Sequence, residues 1–212
     1  MSSDQDSADA HQYLSTTRLE AFSDGVFAIA ITLLVLDLAL RPPGSPLEQV
    51  LQAWPSYLAY VVSFLTIGAA WLGHTELTSG LVRADHILLR INLLLLLVVV
   101  FLPFPTRLVA ESLDGLHGER VYATMYGLTL LALRVFLFAL EEYGRREHLD
   151  SPEGETKARR AEHKLLTVIV GYLIAIIIGL VFPGLAVAAY FGIAVYLVVP
   201  FREITQLLFG RS

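Results

Sequence analysis

The chain has 212 residues, of which 55% are hydrophobic and only 17% are charged, whereas a soluble domain carries about 25% charged residues. The charges collect in short clusters between apolar runs, which indicates an integral membrane protein with spanning helices of roughly 20 residues. The absence of cysteine excludes disulfides, zinc–thiolate sites and thiol nucleophiles. The net charge of −5, without a basic stripe, argues against nucleic acid as a partner.

The predicted elements begin after residues 1–17, whose polar and acidic composition predicts a disordered cytoplasmic tail rather than a signal peptide. Six apolar segments then predict an all-α membrane domain over 18–209, because open sheet edges are not tolerated in hydrocarbon. The predicted spans are 18–40, 50–74, 88–109, 121–143, 165–182 and 185–201. The last two are joined by Pro183-Gly184, a turn that permits only a helical hairpin.

Basic residues are distributed unequally between the two sides of these spans. The side with both termini, the 74–90 loop and the 144–164 insert carries 11 Lys and Arg residues, and the other side carries 3. The positive-inside rule predicts a multi-pass protein of the cell membrane with both termini in the cytoplasm. The polar 144–164 insert is too short to fold alone, and we expect a solvated linker with helical extensions.

The first span, RLEAFSDGVFAIAITLLVLDLAL, carries a wholly apolar stripe. At 100° per residue, Ile29, Leu33 and Leu36 fall within about 60° of one another, and Phe22 lies on the same side. Such a face normally contacts lipid or another helix. Asp24 is about 140° from Ile29, which predicts a buried carboxylate behind the stripe.

An ionisable side chain inside a span is costly unless it is paired or hydrated, so Asp24 needs partners. Side chains at a similar predicted depth in the second and third spans are Trp71, His74 and Asn92. A hydrogen-bonded cluster would satisfy them together. It is either structural, as the position of Asp24 away from the stripe favours, or a proton relay or cation site of a transporter. Arg134 is either a further member or snorkels toward the cytoplasm past Glu141 and Glu142.

The start of the first span contains a motif, R-x-x-x-F-S-D, followed by GVFAIAIT. Its residues are Arg18, Phe22, Ser23 and Asp24. Further matching positions are Trp71, His74, Asn92, Pro103 and Pro105, the last three within NLLLLLVVVFLPFPT. Together they resemble the bacterial branch of the lysosomal potassium channel family, transmembrane protein 175. The resemblance is specific over 18–106 and is only consistent in hydropathy beyond it.

The resemblance implies a potassium-preferring cation channel that lacks a TVGYG carbonyl filter and assembles as a homotetramer, with the first helices around the axis. It assigns Ile29 as the main constriction, Leu33 and Leu36 above it, and Thr32 as a position whose hydroxyl touches the permeating ion. A ring of four Ile29 side chains would gate by dewetting, with modest selectivity set by the cost of ion dehydration. Asp37 either raises the cation concentration at the pore mouth or makes a helix-end contact.

The partners expected for such a channel are other copies of the chain, the lipid bilayer and permeant K⁺, with no cofactor and no tightly bound metal. An enzyme is not expected, because the spans contain no H-E-x-x-H or G-x-S-x-G motif and no paired carboxylates on one helix face. The main alternative is a proton-coupled secondary transporter that uses Asp24 and His74. The inverted repeats with broken helices that are common in transporters are not evident.

Overall fold

The structure is a computed structural model that describes residues 15–38, 44–113 and 119–199, apart from the side chains of 37, 112–113 and 152–164. These ranges are almost entirely helical. The helices are α1 (Thr16–Leu33), a 3-10 segment (Leu34–Asp37), α2 (Pro46–Gln52), α3 (Trp54–Thr78), α4 (His86–Phe101), α5 (Pro103–Leu113), α6 (Glu119–Arg146), α7 (Pro152–Gly179) and α8 (Pro183–Val198).

Four segments are long and apolar enough to cross a membrane. They are Thr16–Leu36, Trp54–Thr78, His86–Glu111 and Glu119–Arg146. The all-α membrane fold is therefore confirmed with four candidate spans among the described residues. The apolar helices Leu165–Gly179 and Pro183–Val198 are shorter. The 16 residues of α8 extend about 24 Å at 1.5 Å per residue, against a hydrocarbon core of about 30 Å, so the count of six spans stays a prediction.

Helix α1 is shorter at its carboxyl end than the predicted 18–40 span. It begins at Thr16 and ends at Leu33, the chain tightens into the 3-10 segment, and Leu38 leaves the helix with φ −78° and ψ 69°. A 3-10 turn is common where a helix ends. Residues 1–14 of the predicted tail and the predicted end at 40 lie outside the described residues.

The second predicted span, 50–74, corresponds to α3, Trp54–Thr78, with a break in the helix near its predicted start. Helix α2 ends at Gln52, and α3 begins at Trp54 after Ala53, whose ψ of 8° interrupts the helix. The reason is Pro55, which has no backbone N–H to donate and so is tolerated only in the first turn of a helix. Helix α3 also continues beyond His74 to Thr78, which puts His74 inside the helix rather than at its end.

Helices α4 and α5 are separated at Leu102, just before Pro103, where a proline cannot continue the regular hydrogen-bond ladder. The hydroxyl of Thr106 donates to the carbonyl of Leu102 at 2.8 Å and lies 2.7 Å from the Ser63 hydroxyl of α3. Ser63 is also 2.8 Å from the hydroxyl of Tyr126 in α6. This buried network holds three helices together at the break, and the sequence analysis did not identify it.

The bundle is organised around α3, α4 and α6. Helix α1 packs against α3 and α4, α6 packs against α4, α5 and α7, and α8 lies on α3, α6 and α7. The predicted hairpin of the last two helices is therefore present. The closest approach is at Gly127, where an added Cβ would lie 2.1 Å from the Tyr190 hydroxyl oxygen, so α6 requires glycine at this position to accommodate α8.

The loops that follow α3 and α6 lie at the same end of the bundle. The amide of Val82 donates to the carbonyl of Leu149 at 2.8 Å, and the amide of Ser151 donates to Gly80 at 2.9 Å. Asp85 caps α4 by accepting from the Leu88 amide at 2.8 Å. The 144–164 insert contains the end of α6 and the start of α7, in agreement with the expected helical extensions.

Candidate functional site

Helix α1 has one buried face, which packs on α3 and α4. Its buried residues recur every three to four positions and are Leu19, Ser23, Phe27 and Ala30, followed by Leu34 in the 3-10 segment. This spacing is that of one face of a helix against a protein core. Ser23 is the one polar residue of this set.

The apolar stripe of α1 is exposed in the single chain. The exposed fractions are 57% for Phe22, 59% for Ile29, 37% for Leu33 and 74% for Leu36. The 3-10 segment keeps the stripe continuous, because side chains three residues apart eclipse in this conformation and Leu36 stays above Leu33. A stripe of this size requires a cover of lipid or protein.

Thr32 lies beside this stripe and is also exposed. Its hydroxyl donates to the carbonyl of Ile29 at 2.8 Å, so its hydrogen is directed back at the helix. The oxygen lone pairs then remain free to accept, and a cation would bind to these lone pairs. The side chain of Asp37, the predicted residue of the pore mouth, lies outside the described residues.

A buried hydrogen-bond chain joins α1, α3 and α4. The amide nitrogen of Asn92 donates to the Ser23 hydroxyl at 2.9 Å, and Nε2 of His74 lies 2.8 Å from Oδ1 of Asn92. Because that amide oxygen only accepts, Nε2 of His74 carries the proton. The three side chains are at most 2% exposed, and the ring of Phe27 lies 5.5 Å from that of His74.

Asp24 and Trp71 form a second contact at the edge of this interface. The indole N–H of Trp71 donates to Oδ1 of Asp24 at 2.8 Å, and both side chains are exposed. The prediction of a buried carboxylate was therefore wrong for the single chain. The helix packs through Ser23, and the next residue is turned about 100° toward the rim. Asp24 still interacts electrostatically with His74.

The R-x-x-x-F-S-D motif is thus divided between two environments. Ser23 and Asp24 bond to α4 and α3, whereas Arg18 and Phe22 are exposed on the outer side of α1. All four residues of the predicted cluster, Asp24, Trp71, His74 and Asn92, take part in these two contacts. Ser23 of the motif joins them through Asn92, whereas Arg18 and Phe22 lie apart from these contacts.

Neither predicted position of Arg134 was correct. The side chain is 2% exposed, so it does not snorkel, and it interacts with Tyr172 of α7 rather than with the cluster at Asn92. Glu142, a predicted neighbour on the snorkelling path, instead pairs with Arg145 at 2.5 Å and also with Arg146. Sequence reasoning missed this environment because the order of helices around α6 is a tertiary property.

Comparison with known proteins identifies related channels. A family model for the endosomal/lysosomal potassium channel TMEM175 matches residues 18–103, which contain most of α1 and all of α2, α3 and α4. A protein named potassium channel from Streptomyces collinus is 40% identical over 184 residues, which cover 84% of this chain and 89% of that protein.

A solved structure and a vertebrate protein are also similar. The crystal structure of a lysosomal potassium-selective channel TMEM175 homolog from Chamaesiphon minutus is 35% identical, with a TM-score of 0.76, over 86% of this chain and 95% of that one. A protein named endosomal/lysosomal proton channel TMEM175 from Gallus gallus is 34% identical over 161 residues, which cover 64% of this chain but only 32% of that protein.

Proposed function

We propose, from the premise that this chain belongs to the TMEM175 family of ion channels, that it forms a potassium-preferring channel whose pore is lined by α1. Family membership and the apolar helices make it a multi-pass membrane channel. In more detail, we propose that the channel is a homotetramer in the cell membrane, with both termini in the cytoplasm and a hydrophobic constriction at Ile29. The observation that carries it is the mixed polar and apolar outer face of α1.

The outer face of α1 is unsuited to lipid alone. Besides the apolar stripe it exposes the carboxylate of Asp24, the guanidinium of Arg18 and the hydroxyl of Thr32. Charged groups within a span normally face protein or a water-filled cavity, because hydrocarbon does not solvate them. This supports a face that is covered by other protein subunits and by water.

Small residues beside the apolar stripe support contact between α1 helices. They are Ala21, Gly25, Ala28 and Thr32, all exposed and spaced three to four residues apart. A Cβ built at Gly25 would meet no atom within 4 Å in the single chain. Small residues at this spacing let the backbones of two membrane helices approach closely. One α1 would then pack on the next, with the larger apolar side chains turned toward the axis.

The buried contacts of α1 support a fixed pore wall. The chain from Ser23 through Asn92 to His74 ties one side of α1 to α3 and α4, and Asp24 is bonded to Trp71. These bonds determine the rotation of α1 about its own axis and therefore which side chains face outward. This favours the structural role of the cluster. His74 is only 1% exposed, so the alternative of a proton carrier in a transporter is less well supported.

The proposed mechanism is hydrophobic gating with dehydration. Four Ile29 side chains around an axis would exclude water when close and admit a partly hydrated ion when the helices separate. Potassium is favoured because it loses its hydration shell at lower cost than sodium. The lone pairs of Thr32, directed away from the helix carbonyl by the bond to Ile29, would replace part of that shell.

The test is the reversal potential of purified protein in planar bilayers under potassium and sodium gradients. Ile29→Asn is expected to widen and wet the constriction and to reduce the preference for potassium severalfold. The matched control is Ile177→Asn, because Ile177 on α7 has a similar exposed fraction, 65% against 59%. The control is expected to keep the native reversal potential. An unchanged reversal potential in Ile29→Asn would contradict the assignment of the constriction.

A further inference from the structure

The core of the bundle contains a cation for which the described residues supply no counter-charge. Arg134 of α6 is 2% exposed, and its neighbours along the helix, Leu130, Leu133 and Leu137, are buried hydrocarbon. The residue with which it interacts electrostatically is Tyr172, a neutral phenol at neutral pH. A guanidinium does not lose its proton in proteins, and burial of a charge without a counter-charge is strongly unfavourable.

The unpaired atoms are those that recognise anions. Nε and Nη2 of Arg134 are both buried and have no hydrogen-bond partner in the described part of the chain. These two N–H groups lie on one edge of the planar guanidinium and donate in parallel, which is the geometry used to hold anionic groups. The hydroxyl of Tyr172 is also buried and unpaired. The phenol oxygen of Tyr172 can accept as well as donate, and both Arg134 and Thr66 of α3 interact with it. It is neutral, however, and supplies no negative charge to the guanidinium.

We propose that Arg134 and Tyr172 bind one small inorganic anion, with chloride as the natural probe, inside each copy of the chain. Water would supply acceptors for the N–H groups but no negative charge, and the charge is the larger part of the burial cost. A lipid phosphate is tethered to acyl chains outside the bundle and would not reach a side chain that is only 2% exposed. The site lies between α6 and α7, away from the outer face of α1, and it does not depend on the proposed pore.

The experiment measures the thermal unfolding midpoint of the purified full chain in detergent while chloride replaces gluconate at constant potassium concentration. A ligand that binds only the folded state raises this midpoint with the logarithm of its concentration. We expect this rise for the native chain, with bromide as effective as chloride. Arg134→Met should lose the chloride dependence, because it removes the charge and keeps an unbranched, although shorter, side chain.

The matched control is Arg120→Met, an exposed arginine of the same helix, which should keep the native chloride response. Tyr172→Phe should shift the response to higher chloride concentration and serves if Arg134→Met does not fold.

In crystals grown in bromide, an anomalous peak is expected beside Nε and Nη2 of Arg134. Equal midpoints in chloride and gluconate, or a response that survives Arg134→Met, would overturn the proposal and indicate that water fills the site.

Discussion

Two outer faces of this molecule differ in composition although both are strongly exposed in the single chain. Between 170 and 182, at the end of α7, every exposed side chain is apolar, with Ile177 at 65%. The outer face of α1 combines Ile29, at 59%, with exposed polar and small residues. Exposure of apolar surface alone therefore does not distinguish a lipid contact from a pore wall. The polar and small residues between the apolar ones set the α1 face apart, and they support the proposal that this face lines a pore.

The two faces also differ in the buried residues that support them from inside the bundle. Behind the α1 face is a hydrogen-bond chain through Ser23, Asn92 and His74. Behind the α7 face is an aromatic group in which the ring of Tyr172 lies 6.1 Å from that of Tyr190, together with the unpaired Arg134. The α1 face is therefore backed by directional hydrogen bonds, whereas the α7 face is backed mainly by packed aromatic rings.

The largest effect is expected on the oligomeric state, which should depend on the α1 face and not on the α7 face. Gly25→Leu adds a branched side chain to the small-residue side of α1, and we expect loss of the proposed tetramer because neighbouring α1 helices could no longer approach. The control is Gly192→Leu in α8, since a Cβ at Gly192 also meets nothing within 4 Å. The measurement is size-exclusion chromatography with light scattering. A tetramer retained by Gly25→Leu would show that this side of α1 faces lipid.

An intermediate effect on stability is expected when the hydrogen bonds that tie α1 to α3 and α4 are removed. Asn92→Leu removes the link between Ser23 and His74 and leaves both without this partner, at a cost of about 1–3 kcal/mol for each buried polar group. We expect a lower unfolding midpoint and less selective currents. Leu97→Ala, on the exposed side of the same helix, should change the midpoint much less. Similar midpoints for the two variants would argue that packing, rather than hydrogen bonding, orients α1.

The smallest effect is expected on the local stability of α2, which belongs to neither face and therefore serves as a reference. Ser45 donates its amide to Oε2 of Glu48 at 2.8 Å, and this hydrogen bond lowers the pKa of the Glu48 carboxyl. A lowered folded-state pKa means that the stabilisation is present above the ordinary glutamate range and is lost as pH falls through the folded value. Amide exchange in α2 should accelerate at acidic pH. Glu48→Gln should remove that dependence while the outer faces of α1 and α7 keep their native protection.

Much of the architecture was predictable from the length and spacing of the apolar segments. The apolar segments predicted the long helices because hydrocarbon requires about 20 apolar residues for each span, and Pro183-Gly184 predicted the last hairpin. The errors occurred where prolines act locally. Pro55 starts a new helix after Ala53, and Pro103 divides the third predicted span after Leu102. Hydropathy does not detect such breaks, because a proline changes the backbone hydrogen bonds rather than the apolar content of the segment.

The sequence alone determined that this is an all-α membrane protein with a distinctive first helix, and its resemblance to the TMEM175 family was confirmed by the comparisons. These properties depend on spacing along one chain. Only the tertiary structure decided which polar residues meet: Asn92 joins Ser23 to His74, Asp24 lies at the rim, and Arg134 is buried beside Tyr172. The depth of a residue in the bilayer can be read from its position in a span, but its neighbours depend on how the helices are arranged around one another.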